Sequence, residues 1–249
     1  MKNISNKKAS DKLIFALDAA SLDEALSWIE LLSGHVGMFK VGFELFTAVG
    51  PKIIDCIKLR DQRVFLDLKF HDIPNTVARA AESAVKLGVD MFNVHASGGS
   101  KMIQETVKAA QAFAAKNGQA KPIVLAVTVL TSLNDTDLQE IGFGKSTNDQ
   151  VLHLASLAKA AGADGVVASP QDITALRAHL GNDFILVTPG IRSSQETVTD
   201  DQKRTLGALD AVKLGADYIV VGRPIRQAAD PLAVCRNIVQ EIAAGMNGG

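Results

Sequence analysis

Short runs rich in β-branched residues alternate with longer Ala- and Leu-rich segments along nearly the whole chain, and this alternation limits the fold more than any other feature. The expected strands are Leu13–Asp18, Met38–Gly42, Val64–Lys69, Met91–His95, Ile123–Val129, Gly165–Ala168, Phe184–Thr188 and Tyr218–Gly222. Amphipathic helices are expected between and after them, near 22–33, 43–60, 75–87, 100–116, 149–161, 171–180, 205–214 and 231–244. Strict alternation of this kind calls for βαβ units and parallel pairing. A chain of 249 residues with this many units fits a single (β/α)8 TIM barrel over 1–249, with 1–11 as a flexible polar N-terminal segment. The doubly wound open sheet is the other α/β solution. It is weakened because "ALDAAS" after the first strand lacks the glycine-rich dinucleotide fingerprint.

A weak repeat supports the unit count. "LGVD" (87–90), "AGAD" (161–164) and "LGAD" (214–217) each close a helix and open a strand. Glycine accepts the left-handed conformation that follows many helix C-termini. Two connections after strands are long, Thr131–Asn148 and Pro189–Arg204, and the second has the composition of a mobile cover. Loops after strands form the catalytic face of such barrels, although an ordinary surface excursion has the same composition.

Composition excludes several functions. Hydrophobic residues make up 47% of the chain, enough for a large core, and the formal charge is only −1 without a basic block. Nucleic acid and anionic membranes are therefore poor candidates for partners. No apolar run reaches the roughly 20 residues that span a bilayer, and "MKNISNKKAS" lacks an apolar signal core, so a cytoplasmic protein is expected. Cys56 and Cys235 fit no metal or redox spacing and read as reduced thiols. No serine nucleophile elbow or Cys–His pairing is visible.

Charges gather at strand ends. In "RVFLDLKFHDIPNT", Asp67 and Lys69 share the strand face opposite Leu66 and Leu68, and Asp72 follows closely. In "MFKVG", Lys40 takes the face opposite Phe39 and Val41. Asp18 ends the first strand, and Gly222 and Arg223 follow the last. A barrel would bring these distant positions to one mouth. Asp67 and Lys69 alone could be a stabilising rim pair, and Asp72 could serve a helix start beside Pro74. Two cations and two anions together favour a site. Acids interleaved with lysines do not suit a metal, so no metal ligand set is expected. His71 and His95 read as packed residues, and His35, His153 and His179 as loop or helix-surface residues. Phosphate often binds such barrels after strands 7 and 8. Gly222 would admit the oxygens, Arg223 would supply a forked donor, and Arg192 and Gln202 could close over the same anion. Arg223 as a plain surface residue is the alternative.

The chain closely resembles the orotidine 5′-phosphate decarboxylase family in its shorter, bacterial-type form. The most specific element is "DLKFHDIPNT" (67–76), with its D-x-K-x-x-D-I-P-x-T pattern. "FALD" (15–18), "FKVG" (39–42), "VTVLTS" (127–132), "PGIR" (189–192), "DDQKR" (200–204) and "VGR" (221–223) support it. The resemblance implies a (β/α)8 homodimer that converts orotidine 5′-monophosphate to UMP and CO2 without metal or organic cofactor. It implies a charged tetrad of Lys40, Asp67, Lys69 and Asp72, with Asp72 and Thr76 donated by the neighbouring subunit. Asp18 and Lys40 would hold the ribose, Thr131 and Ser132 the pyrimidine, and Arg192, Gln202, Gly222 and Arg223 the phosphate. Lys69 would protonate C6. Asp67 would act either by repelling the substrate carboxylate or by holding the lysines. Rival readings are a metal-dependent 3-keto-gulonate-6-phosphate decarboxylase on a similar barrel and a catalytically silent nucleotide-binding protein.

Overall fold

The computed structural model describes residues 9–192 and 206–247. Eight parallel strands close into a barrel in the order β1 (Leu13–Ala16), β2 (Met38–Gly42), β3 (Val64–Phe70), β4 (Met91–His95), β5 (Ile123–Val127), β6 (Gly165–Val167), β7 (Ile185–Thr188) and β10 (Tyr218–Val221). Closure comes from β10 lying beside β1, with Phe15 opposite Val221. The short strands β8 (Ile191–Arg192) and β9 (Leu206–Gly207) pair in parallel outside the barrel, at the two ends of the long connection after β7.

Alternation along the strands sorts the core into two layers. Ile14, Met38, Phe65, Met91 and Leu125 fill the barrel interior. Leu13, Phe15, Phe39, Leu66 and Phe92 point outward, beneath the helices. The helices answer with apolar stripes. In α4 (Pro74–Lys86), Val77, Ala81, Ala84 and Val85 are buried, the spacing of one helical face. α4 packs on α5 (Gly99–Lys116), and the C-terminal helix α11 (Pro231–Asn247) packs on α9 (Ala208–Lys213).

Three details depart from the sequence expectation. The helix expected over 43–60 is two helices, α2 (Phe43–Val49) and α3 (Lys52–Lys58), because Gly50 adopts φ +72° and Pro51 cannot continue the first. The connection after β5 is partly folded. Within it α6 (Asp135–Glu140) starts with a reciprocal capping box between Asn134 and Asp137 and buries Leu138. Asp135 accepts the N–H of Thr147 at 2.7 Å and so ties this connection to α7 (Thr147–Ala160). Residues 9–11, expected within the polar segment, belong to a 3-10 turn (Ala9–Lys12) in which Asp11 pairs with Arg63 at 3.2 Å. Of the cover expected over Pro189–Arg204, residues 193–204 lie outside the described residues, as do residues 1–8.

The three-fold repeat does more than cap helices. Gly88, Gly162 and Gly215 all have positive φ, as expected. The acid two residues later works at the N-terminal rim of the barrel. Asp90 accepts the Val64 N–H (2.8 Å) and Lys58 (2.9 Å). Asp164 accepts the Val124 N–H (2.8 Å) and Lys121 (2.7 Å). Asp217 accepts the Leu186 N–H (2.9 Å) and Arg177 (2.7 Å). Each acid thus clamps the start of its own strand to the strand before it.

Candidate active site

A cavity of about 620 Å³ opens at the C-terminal end of the barrel. Inward-facing positions at the tops of adjacent strands supply its charges. Lys40 follows Met38 on the interior face of β2, and Asp67 follows Phe65 on that of β3. Lys69 arrives differently. From Leu66 to Phe70, β3 advances four residues while its partner advances only from Phe92 to Val94. The extra backbone bulges, and Lys69 takes φ +43°, a left-handed conformation that is costly for a residue with a Cβ.

The charges form an alternating chain. Lys40 Nζ lies 3.2 Å from Asp18 Oδ1 and 3.3 Å from Asp67 Oδ2. Lys69 Nζ lies 2.7 Å from Asp67 Oδ1. Exposure of the Lys40, Asp67 and Lys69 side chains is only 12%, 12% and 24%, so solvent screens these contacts weakly. Burial alone would lower the Lys40 pKa, but Asp67 and Asp18 outweigh it and raise it. Burial alone would raise that of Asp67, but Lys40, Lys69 and the hydrogen bonds from Lys69 and Asn93 hold it below the usual carboxylate range. Gly42 leaves room for this network, because a Cβ there would sit 3.1 Å from Lys40 Nζ.

The remaining wall is mixed. Val127, Val167 and Val220 give apolar surface, Thr131 a hydroxyl, and Gly222 and Arg223 lie where β10 turns into the short helix α10 (Arg223–Arg226). A Cβ on Gly222 would stand 3.0 Å from Ala16 Cβ and 3.6 Å from Asp18 Oδ2, so glycine keeps the ends of β10 and β1 close. Arg226 Nη1 donates to the Asp18 carbonyl and fastens α10 to the same corner.

Of the residues singled out in the sequence, Asp18, Lys40, Asp67, Lys69, Thr131, Gly222 and Arg223 line this cavity. Ser132 is exposed and lies one residue beyond the lining. Asp72 is exposed and apart from the lining, with its carboxylate accepting the Ile73 N–H at 2.6 Å. Thr76, in the first turn of α4, is likewise exposed and apart from it. Within one chain the cluster is therefore two lysines and two aspartates, with Asp18 where the sequence suggested Asp72. Arg192 belongs to β8, next to Ile191 in the cavity wall. Gln202 lies outside the described residues.

One member escaped the sequence reading. Asn93 is fully buried, accepts the Lys69 N–H at 2.8 Å, and donates to Asp67 Oδ1 at 2.7 Å. Its signal was the same alternation: in "MFNVH", Asn93 shares the interior face with Met91 and His95. The His71 and His95 rings lie with centroids 5.5 Å apart, tilted by 41° to each other. Burial lowers the His95 pKa, and His71 and Lys69 push it further down. Among the described residues no group of three or more His, Cys, Asp or Glu side chains is arranged to hold a metal ion, and no helix is long and apolar enough to cross a membrane.

The family model described as orotidine 5′-phosphate decarboxylase / HUMPS family matches residues 11–238. The chain belongs to this family. A curated protein of Syntrophus aciditrophicus (strain SB), called orotidine 5′-phosphate decarboxylase, is 56% identical over 247 residues, 99% of this chain and 98% of its own. One of the same name from Geotalea daltonii (strain DSM 22248 / JCM 15807 / FRC-32) is 49% identical over 96% of this chain and 98% of its own. Among solved structures, orotidine 5′-phosphate decarboxylase from Lactobacillus acidophilus superposes with a TM-score of 0.82 at 39% identity, covering 92% of this chain and 98% of that one. The family's barrel is thus the architecture seen here, and its matched span includes every described cavity residue.

Proposed function

We propose that the chain is an orotidine 5′-phosphate decarboxylase, a carboxy-lyase of pyrimidine nucleotide synthesis that converts orotidine 5′-monophosphate to UMP and CO2. The observation that carries this reading is the alternating Asp18–Lys40–Asp67–Lys69 chain on the wall of a nucleotide-sized cavity, with its last three members held at low exposure. The names of the relatives agree with it.

The chemistry needs such an array. When the C6–carboxylate bond breaks, CO2 leaves and the electron pair stays on C6 in the plane of the ring, where the ring delocalises it poorly. A preorganised ammonium can stabilise that charge and then give it a proton. In this reading Lys69 does both, moving one N–H proton to C6 and recovering one from solvent. Asp67 holds Lys40 and Lys69 at fixed spacing. Asp18 and Lys40 take the ribose hydroxyls, and Thr131 with Ser132 faces the pyrimidine. Gly222, Arg223, Arg192 and Gln202 take the phosphate. No metal or organic cofactor is called for.

The reading extends to a cytoplasmic homodimer in which Asp72 and Thr76 complete the partner's site. In the single chain Asp72 and Thr76 are exposed, and so are two large apolar residues, Ile73 (66%), next to Asp72 in the chain, and Phe43 (57%). The Phe43 ring lies 5.9 Å from Lys69 Nζ, which puts this apolar surface next to the site. Apolar area so placed suits a face covered by a second copy.

The test is direct. Purified protein should release CO2 from orotidine 5′-monophosphate, with or without a chelator. Lys69→Ala should lower turnover by roughly 10⁴-fold or more while remaining folded. Mixing inactive Lys69→Ala with inactive Asp72→Ala should restore activity, since a hybrid dimer holds one intact site. Normal turnover by Lys69→Ala would refute its role, and mixtures that stay inactive despite subunit exchange would refute the shared site.

A further inference from the structure

Lys69 is held in a position that its own strand does not favour, and a single buried amide accounts for the hold. The bulge between Leu66 and Phe70 turns the Lys69 N–H out of the regular ladder. A buried backbone donor without a partner would be costly. Asn93, on the facing strand β4 between the paired residues Phe92 and Val94, supplies Oδ1 to that N–H at 2.8 Å. Its other end, Nδ2, donates at 2.7 Å to Asp67 Oδ1, the oxygen that accepts Lys69 Nζ at 2.7 Å. The amide fits in one orientation only, because a flip would set an NH2 against an N–H and an oxygen against a carboxylate. Asn93 therefore fixes the Lys69 side chain at its root, through the backbone, and at its tip, through Asp67.

We infer that Asn93 is a positioning residue for proton delivery: it stabilises the left-handed Lys69 and aims its ammonium at the reacting carbon without touching the substrate. This rests on the decarboxylase reading above. Leucine or alanine at 93 would orphan the Lys69 N–H and one donor to Asp67. Aspartate would keep an acceptor for the N–H but confront the Asp67 carboxylate with a second negative charge.

The experiment compares Asn93→Ala and Asn93→Asp with the unaltered protein, using orotidine 5′-monophosphate turnover, UMP affinity and thermal unfolding. Misaim of a reacting group by about 1 Å can cost roughly 100-fold, so kcat should fall at least that much in both variants. KM and UMP affinity should stay within about threefold, because Asn93 lies outside the ribose and phosphate contacts. A crystal structure of Asn93→Ala should show Lys69 leaving the left-handed region. A purely structural residue would lower the melting temperature and leave kcat per UMP-binding site unchanged, which would overturn the inference. So would failure of both variants to fold, which would assign Asn93 to stability. If the unaltered protein does not release CO2, the decarboxylase reading fails first and this inference falls with it.

Discussion

At the N-terminal rim of the barrel, Asp90, Asp164 and Asp217 each accept one cation and one backbone N–H. At the C-terminal rim, Asp67 accepts two lysines and an amide and faces a cavity. The bonds have similar lengths, yet the arrangements differ in what they leave over. Each lower acid is matched by its own partners and closes strand against strand, at β4, β6 and β10, the fourth, sixth and eighth strands of the barrel. The upper acid sits at the centre of a chain of like and unlike charges whose outer members, Asp18 and Lys69, both line open space. Ion pairing at the lower rim is spent on the fold, whereas at the upper rim it holds two lysines on the wall of the cavity.

The same substitution at the two rims should separate these roles. Asp67→Asn removes the anion between two buried ammoniums, and turnover should fall by roughly 100- to 1,000-fold, with a marked loss of stability, since breaking a buried pair leaves a charge uncompensated. Near-normal steady-state kinetics in this variant would erase the distinction. Arg223→Ala, at the far end of the same cavity rim, should reduce kcat/KM by about 2–3 kcal/mol, or roughly 30- to 150-fold, as expected for one charged hydrogen-bond donor. Unchanged kcat and KM would remove Arg223 from the phosphate site. Asp217→Asn should leave kcat alone and cost about 2 kcal/mol of stability, a fall of roughly 4–8 °C in melting temperature. A lower-rim variant that lost turnover without losing stability would break the comparison from the other side.

The smallest effect is in pH. Asp67 has a depressed folded pKa, so its stabilisation is present above the unfolded value of about 3.9 and is lost as pH falls through the lower folded one. Lys40 has a raised folded pKa, so its stabilisation is complete below about 10.4 and is lost as pH rises through the higher folded value. The pair should therefore contribute evenly between about pH 4 and pH 10.4. Denaturant titrations should show the intact protein weakening in acid more steeply than Asp67→Asn. Identical acid limbs would mean that Asp67 gains nothing from its lysines.

What the sequence disclosed follows from which physical rule governs each residue. Period-two alternation governs strand faces, so the barrel, the inward Lys40 and Asp67, and the gathering of Asp18, Gly222 and Arg223 were all legible. Gly50-Pro51 carried its helix break in plain view, but the apolar pattern running through 43–60 masked it. The repeat at 87–90, 161–164 and 214–217 was visible as helix-capping glycines, while the work of its aspartates depends on lysines, an arginine and strand starts distant in the chain. Lys69 reached the expected side by a route that alternation does not encode, because a bulge and a positive φ are set by the neighbouring strand. Asn93 was overlooked since a neutral amide in an apolar strand looks inert until its two partners are known. Asp72, expected beside the lysines, is instead exposed and accepts the Ile73 N–H in its own chain, a local contact that strand alternation does not encode.

The account stands or falls on where the Lys69 ammonium points. A crystal structure with UMP, or an analogue bearing an anionic group at C6, measures that directly. The account predicts Lys69 Nζ within hydrogen-bond reach of that position, about 3 Å, with Asp67 still bonded to both lysines. An ammonium turned away and more than about 5 Å from C6, beyond the reach of direct proton transfer, would contradict it.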